Sequence, residues 1–292
     1  MAQSIDLVTK FQPILDELYK KESLTARLDA QTKPVSFAGA NVVKIFKTSP
    51  IGLGTYSRSA GYPKGQVVGT WETLTLATER GREFNIDRMD DEESLGMAFG
   101  TLAGEFMRTE VAPELDAYRF AKYASWSSIQ TVAGATLTSG TVLAAIDAAS
   151  LALDNYEVPA DGRVLFASSG VARMISAAVT RMLGNESSAD RRLASLDGMT
   201  IVPVPQARFY TVATLDAGAA VDAGGFTNGG KGINFLLMHP SAVLQVAKHA
   251  NLKIFNPDEN QEMDTYKVQY RIYHDAFVYD NKVKAIYLHK LA

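Results

Sequence analysis

The run Gly225-Phe226-Thr227-Asn228-Gly229-Gly230-Lys231-Gly232 has the spacing of a phosphate-binding loop, in which backbone amides cradle phosphates and a lysine reaches them. Its last position breaks the pattern, because Gly232 stands where a serine or threonine would ligate Mg2+. Residues 233–238 then form an apolar run that reads as a strand, so no helix N-terminus follows to hold phosphates. An NTP-dependent enzyme using Gly225–Gly232 is therefore the remotest reading, and 218–232 reads as a mobile Gly-rich surface loop. Asp87, Asp90, Asp91, Glu92 and Glu93 would place carboxylates on successive faces of a helix start, as a metal site needs. No second acidic cluster accompanies them, and the same charges complement a helix dipole. The histidines at 239, 249, 274 and 289 show no ligand-pair spacing. His274-Asp275 invites a catalytic triad, yet Ser168-Ser169-Gly170 lacks the first glycine of a nucleophile elbow. Tyr266, Tyr270, Tyr273, Tyr279 and Tyr287 could stack bases, but alternation on a buried sheet face accounts for most of them more simply. Catalytic, cofactor-binding and metal-ligating residues are all expected to be none.

The elements around these residues suggest a different purpose. Residues 1–42 read as an arm: Pro13 can start a short helix with Ile14, Leu15 and Leu18 on one stripe, and 29–41, with Pro34 and Gly39, runs extended. So narrow a stripe needs something outside itself to pack on. Residues 43–86 read as a long hairpin, with strand feet at 43–46 and 66–76 and a further strand at 82–86. Its tip holds Pro50, Gly52, Gly54, Gly61, Pro63 and Gly65, too many turn residues for regular pairing. A two-stranded ribbon is marginal alone in water, so this one is expected to lie on a neighbouring subunit. Arg58, Tyr62, Lys64 and Trp71 are its expected contacts, and Leu74 is expected to gain burial with Trp71.

Residues 87–131 contain the longest helical pattern and the start of the domain built on it. Leu95, Phe99, Leu102 and Phe106 recur at helical spacing and the stripe continues through Leu115 and Tyr118. Gly96, Gly100 and Gly104 run beside that stripe and, with Pro113, make the helix easy to bend. Residues 132–250 alternate helix (142–153, 171–183 after a Ser168-Ser169 cap, 242–248) with strand (164–167, 199–204, 233–238). Residues 251–292 turn to β: Tyr266, Val268, Tyr270 and Ile272 alternate with Lys267, Gln269 and Arg271, and Asp280-Asn281 suits a hairpin turn. No internal repeat is visible.

Composition agrees with a globular chain. Its 292 residues can bury a substantial core, and 47% are hydrophobic against 21% charged. With 29 basic and 32 acidic residues, the net charge of −3 is not that of a dedicated nucleic-acid binder, though it suits a protein that merely encloses nucleic acid. There is no cysteine, which excludes disulfides and thiolate chemistry. Asp6 and Lys10 interrupt any signal-like apolar run, so a soluble product of a reducing cytosol is expected, with no membrane partner.

Three segments resemble the major capsid proteins of tailed bacteriophages, the family with the Hong Kong-97 fold. The first joins Gly52-Leu53-Gly54-Thr55-Tyr56-Ser57-Arg58 and Gly61-Tyr62 to Arg82-Glu83-Phe84-Asn85-Ile86-Asp87-Arg88-Met89-Asp90. The second is 156–169, with Val158-Pro159, Arg163 and then an apolar strand. The third, within 233–289, carries Phe255-Asn256-Pro257-Asp258-Glu259-Asn260-Gln261 and Tyr270-Arg271-Ile272-Tyr273-His274-Asp275. The ordered set spans nearly the whole chain.

The resemblance implies an α+β fold with an N-terminal arm, an extended β-hairpin loop, a long spine helix, and peripheral and axial domains. In those terms the chain divides as arm 1–42, hairpin loop 43–86, spine helix and start of the peripheral domain 87–131, axial domain 132–250 and C-terminal β return 251–292. The implied function is a homo-oligomeric subunit whose hexamers and pentamers close into an icosahedral shell around the phage genome. Expected partners are further copies of itself, a portal and a scaffolding protein, with non-specific contact to packaged double-stranded DNA; the chain is too short for a large scaffolding segment of its own. The expected location is the virion capsid, assembled in the bacterial host cytoplasm. An encapsulin-type nanocompartment shell is the alternative. Some relatives cross-link lysine to asparagine with a carboxylate's help, which here would involve Lys64, Asn256 or Asn260, and Glu259 or Glu262; ordinary salt bridges and hydrogen bonds are the expected contacts.

Overall fold

The computed structural model describes residues 23–31, 41–49, 51–59, 61–89, 102, 104–183, 195–220 and 223–292. The arm helix expected at Pro13–Leu18, the carboxylates of residues 90–93, Leu95, Phe99, Gly96 and Gly100 lie outside them.

Among the described residues, three sheets carry the fold. Strands β1 (Val42–Ser49) and β2 (Val68–Thr75) form an antiparallel ribbon of eight residue pairs, from Val42 opposite Thr75 to Ser49 opposite Val68. After Ala77 the chain enters a second sheet as β3 (Thr78–Asp87), whose alternating exposure marks one covered face. At its end Asp87 accepts a 2.9 Å hydrogen bond from the Met89 amide, as a helix cap does.

Helix α1 (Ala112–Ser125) follows a π-helical turn at Met107–Val111, in which the Ala112 amide bonds to the Met107 carbonyl. Pro113 explains that turn: it brings no N–H, and its ring collides with a carbonyl held at α-helical distance. One extra residue in the turn relieves the collision. Pro113, expected to ease bending, coincides with a change in helix type. Met107, Val111 and Leu115 pack on Leu252, Ile254, Val268 and Ile272, the apolar positions of two alternating strands, β10 (Val243–Phe255) and β11 (Thr265–Val278). These strands and β3 complete the second sheet in the order β10-β11-β3.

The third sheet has seven strands and a mixed topology. β5 (Val164–Ser168) lies parallel to β7 (Met199–Val204) and antiparallel to β9 (Phe226–Met238). β9 also pairs with β8 (Tyr210–Leu215) and β12 (Ile286–Lys290), while β4 (Gln130–Val132) and β6 (Ser195–Leu196) close the edges. Helices α2 (Val142–Asp154) and α3 (Ser169–Leu183) cover one face, where Ile146, Leu153, Val171 and Ile175 meet Leu165, Ala167, Phe235 and Leu237. The other face meets α1, with Phe120 and Tyr123 against Phe166, Leu236 and Met238. Buried on both faces, β5 and the end of β9 read in sequence as unbroken apolar runs. Arg163, almost fully buried, donates to Asp154 Oδ1 at 2.6 Å, to Ser150 Oγ at 3.1 Å and to the Pro159 carbonyl at 2.9 Å, tying the end of α2 to β5.

Three expectations are corrected. Of residues 242–248, expected as a helix, Ala242 ends a 3-10 turn and the rest begin β10; Val243–Val246 is buried on both faces, and a bulge at Ala247/His249 breaks the alternation beyond it. Within the stretch expected as a Gly-rich loop, Phe226–Gly232 is instead the outer half of β9 paired to β8. Lys231 sits on that strand with its amide bonded to Thr211 Oγ1 at 2.9 Å, far from the arrangement a phosphate-binding loop requires. Asp280-Asn281 does not close a hairpin. A 3-10 helix, Asp280–Ala285, carries the chain from the second sheet to the third, where β12 pairs with β9 and β4.

Candidate assembly interface

Opposed residues in the ribbon share a face, so its register sorts them into two sets. Val43, Ile45 and Lys47, opposite Leu74, Glu72 and Thr70, face the body of the molecule. Val43, Leu74 and Leu76 are buried with Leu244, Val246 and Phe277, each burial worth roughly 1.5–3 kcal/mol. Further out, Lys47 Nζ bridges Glu72 at 2.6 Å and Asp280 at 2.9 Å, linking ribbon to body. Burial acts to lower the Lys47 pKa, but the two carboxylates together outweigh it and hold the ammonium above its usual value. The base of the ribbon is therefore fixed on its own chain. Leu74, expected to be covered by a neighbour, is already covered here.

The opposite face is bare. Phe46 and Trp71 are cross-strand partners with ring centroids 5.0 Å apart, yet they remain 53% and 63% exposed. Gly69 lets the Phe46 ring lie flat on the ribbon, since a Cβ there would come within 2.5 Å of it. Beyond β1 and β2 the tip folds on itself. Ser57 and Gly61 exchange backbone hydrogen bonds of 3.2 and 2.7 Å, Gly61 adopts a positive φ of 79°, and the Tyr56 and Tyr62 rings lie 4.9 Å apart.

Eight of the fifteen exposed large apolar residues among the described ones fall between positions 46 and 71. Monomeric proteins rarely leave so concentrated an apolar surface exposed. Arg58, Tyr62 and Lys64 stand exposed at the tip, and Trp71 on the outward face of the ribbon.

The remaining expected site residues lie elsewhere. Asn260 is a structural residue of the turn between β10 and β11, its amide donating to the Thr265 hydroxyl at 2.8 Å. Glu262 pairs with Lys267 at 2.6 Å, Glu259 is exposed, and Asn256 accepts the turn's backbone bonds through its carbonyl. Gly104 lies in the helical stretch before the π turn, and Pro113 at the first turn of α1. Among the described residues no group of acids and histidines is arranged to hold a metal. No helix there is long and apolar enough to cross a membrane.

The structural roles of two buried carboxylates escaped the sequence reading. Asp116 on α1 accepts from Ser23 Oγ at 2.8 Å, Thr25 Oγ1 at 2.7 Å and the Leu24 amide at 2.9 Å, seating the segment before the 3-10 helix Ala26–Gln31. Asp275 on β11 accepts from the Ala77 amide at 3.0 Å and Tyr118 Oη at 2.8 Å. Partners this far apart in sequence leave no spacing signal.

No protein-family model matches the sequence, and no curated protein matches it. In three dimensions the chain is similar to the capsid structure of cyanophage P-SCSP1u, with a TM-score of 0.65 at 11% identity over 90% of this chain and 86% of that one. The fold is that of tailed-phage capsids. A chain of Mycobacterium phage Che8 shares this capsid fold with a TM-score of 0.60 at 16% identity, covering 86% of this chain and 85% of that one. So does the virus-like particle from Pyrococcus furiosus, with a TM-score of 0.53 at 12% identity over 94% and 95% of the two chains. The α+β capsid fold of the Hong Kong-97 type, expected from the ordered segments, is confirmed.

Proposed function

We propose that this chain is a structural subunit that assembles with copies of itself into a closed capsid shell around a phage genome. One observation carries the reading beyond fold likeness: a ribbon anchored at its base presents an aromatic face and an apolar tip that stand exposed among the described residues. Association buries that surface, and symmetry repeats the gain until the shell closes. Arg58, Tyr62, Lys64 and Trp71 make the contact with the neighbour, and the contact is non-covalent. The sheet β10-β11-β3 with its helix serves as the peripheral domain, and the seven-stranded sheet with α2 and α3 as the axial domain. The partners are hexamers and pentamers of the chain itself, a portal, a separate scaffold and DNA held without sequence preference. The location is the virion capsid, assembled in the host cytoplasm.

The likeness to the Pyrococcus particle supports one second reading, a nanocompartment shell around protein cargo. Negative-stain microscopy of the purified protein, with nucleic-acid and protein assays of the particle contents, tests both. Closed shells with DNA support the capsid, closed shells with a protein cargo favour the compartment, and protein that forms no shell under any assembly condition overturns both.

A further inference from the structure

Two arginines of β3 reach across to the connection between β8 and β9. The Arg80 guanidinium forms a bidentate pair with Glu114 on α1, at 2.6 and 3.0 Å. The same group donates to the Asp216 carbonyl and, at 3.1 Å, to the Gly225 carbonyl. Arg82, two residues along the same face of β3, donates to the Ala223 carbonyl at 2.7 Å. Asp216 and Gly225 are the two ends of the connection, closed on each other where the Asp216 amide donates to the Gly225 carbonyl at 3.0 Å. None of the described residues between 216 and 225 is buried, so no apolar core holds this end of the third sheet. Its hold on the second sheet comes from hydrogen bonds with charged donors.

We propose that Arg80 and Arg82 are a releasable clamp between the second and third sheets, in which Arg80 keeps Glu114 when the end of the β8–β9 hairpin lets go. The two sheets share α1: Leu115 packs in the core of the second, and Phe120 and Tyr123 in that of the third. The arginine bonds oppose a turn of the third sheet about that helix. Their partners differ in kind. Glu114, 16% exposed, holds the guanidinium fork by charge, and parting such a pair is costly. The carbonyls are neutral and face a guanidinium that is 21% exposed, so water can take their place. Opening therefore strands no charge. Arginine alone suits the position, because its planar fork serves a carboxylate and two carbonyls at once, whereas the lysine ammonium is a single point. The clamp is a property of the free subunit and goes beyond the shell reading.

The test uses the full chain as dissociated subunits, so its outcome does not depend on whether shells form. The chain has no native cysteine, and nitroxide labels are attached at Asn85→Cys on β3 and Ala148→Cys on α2, both exposed positions. Pulsed electron resonance then reads the distance between the two sheets. With the arginines in place one narrow distribution is expected. Arg80→Lys with Arg82→Lys should add a second population of distances. The Asp216 amide should exchange roughly tenfold faster while amides of β5 and β11 keep their rates. Arg82→Lys alone leaves the Arg80–Glu114 pair in place and should shift both readouts in the same direction by less, so it serves if the double variant does not fold. Adding Glu114→Gln to the double variant should raise Asp216 exchange no further, because the three side chains act as one unit. An unchanged distance distribution in both arginine variants overturns the clamp even if exchange rises, since the bonds then order a local turn only. Unchanged exchange at Asp216 overturns it as well.

Discussion

The carboxylate of Asp275 accepts the backbone amide of Ala77 at 3.0 Å. Ala77 is the residue at which the ribbon ends and β3 begins, so a buried charge on β11 holds the bend from which the ribbon projects. Tyr118 Oη donates to the other oxygen at 2.8 Å and itself accepts from Thr78 Oγ1 at 2.6 Å, bringing α1 into the same joint. Burial first, then the adjacent Asp275 charge, raise the Tyr118 phenol above its usual pKa and keep it a donor.

Asp275→Ala should therefore destabilise the subunit by about 3 kcal/mol, because it strands a backbone amide and a buried hydroxyl together. Tyr118→Phe should cost about 1 kcal/mol. Urea unfolding followed by circular dichroism measures both, and an Asp275→Ala subunit as stable as the original would show that the joint does not depend on this charge.

Asp116 plays the corresponding part at the other end of the chain. Asp116→Ala removes the acceptor for Ser23, Leu24 and Thr25, and Arg119, which donates to Thr25 Oγ1 at 2.9 Å, loses an ordered partner. Residues 23–31 should then exchange their amide hydrogens faster while β5 and β9 keep theirs. Unchanged exchange at 23–31 would place the anchoring elsewhere.

His274 gives the stability a pH dependence of known sign. Burial, with smaller contributions from the Arg119 and Arg80 charges, lowers its pKa to about 3 from an ordinary 6.5. Between those values the unfolded chain binds a proton that the folded chain refuses. The stabilisation is thus complete above about pH 6.5 and is lost as pH falls towards 3. In His274→Phe the unfolding free energy should vary less between pH 6.5 and 4 than in the original chain. Equal slopes would mean that His274 titrates normally in the folded state.

What the sequence revealed and what it hid follow from the range of the interactions. The ribbon feet were legible because alternating strands flank a cluster of glycine and proline. Helix α2 was legible because Val142, Ile146, Ala149 and Leu153 keep one period. Val243–Val246 was misread because four residues buried on both faces carry no period, and the bulge after them erased the alternation that would have identified a strand. Phe226–Gly232 was misread because glycine has no side chain to alternate, although its backbone is fully strand-like. Arg58, Tyr62, Lys64 and Trp71 were readable as exposed ribbon residues. Asp116 and Asp275 were not, since their partners lie about 90 and 200 residues away.

The helical stretch before α1 should respond to its small residues. Replacing Gly104 by alanine raises helix propensity there by roughly 1 kcal/mol, and Pro113→Ala removes the cause of the π turn. Shells of either variant are expected to assemble but to change size less on maturation, as read by electron microscopy before and after the transition. Normal expansion in both would mean that bending here takes no part in it.

Hydrogen exchange along the ribbon tests the central claim most directly. Two strands without a covered face are marginal, so amides of 48–70 should exchange freely in dissociated subunits while the base at Val43 and Leu74 stays protected. In closed shells the same amides should become protected over the whole ribbon. Replacing 52–65 by an Asn-Gly turn should leave a folded, soluble subunit that forms no stable shell. Equal exchange at 48–70 in subunits and shells would contradict the intersubunit role of the ribbon.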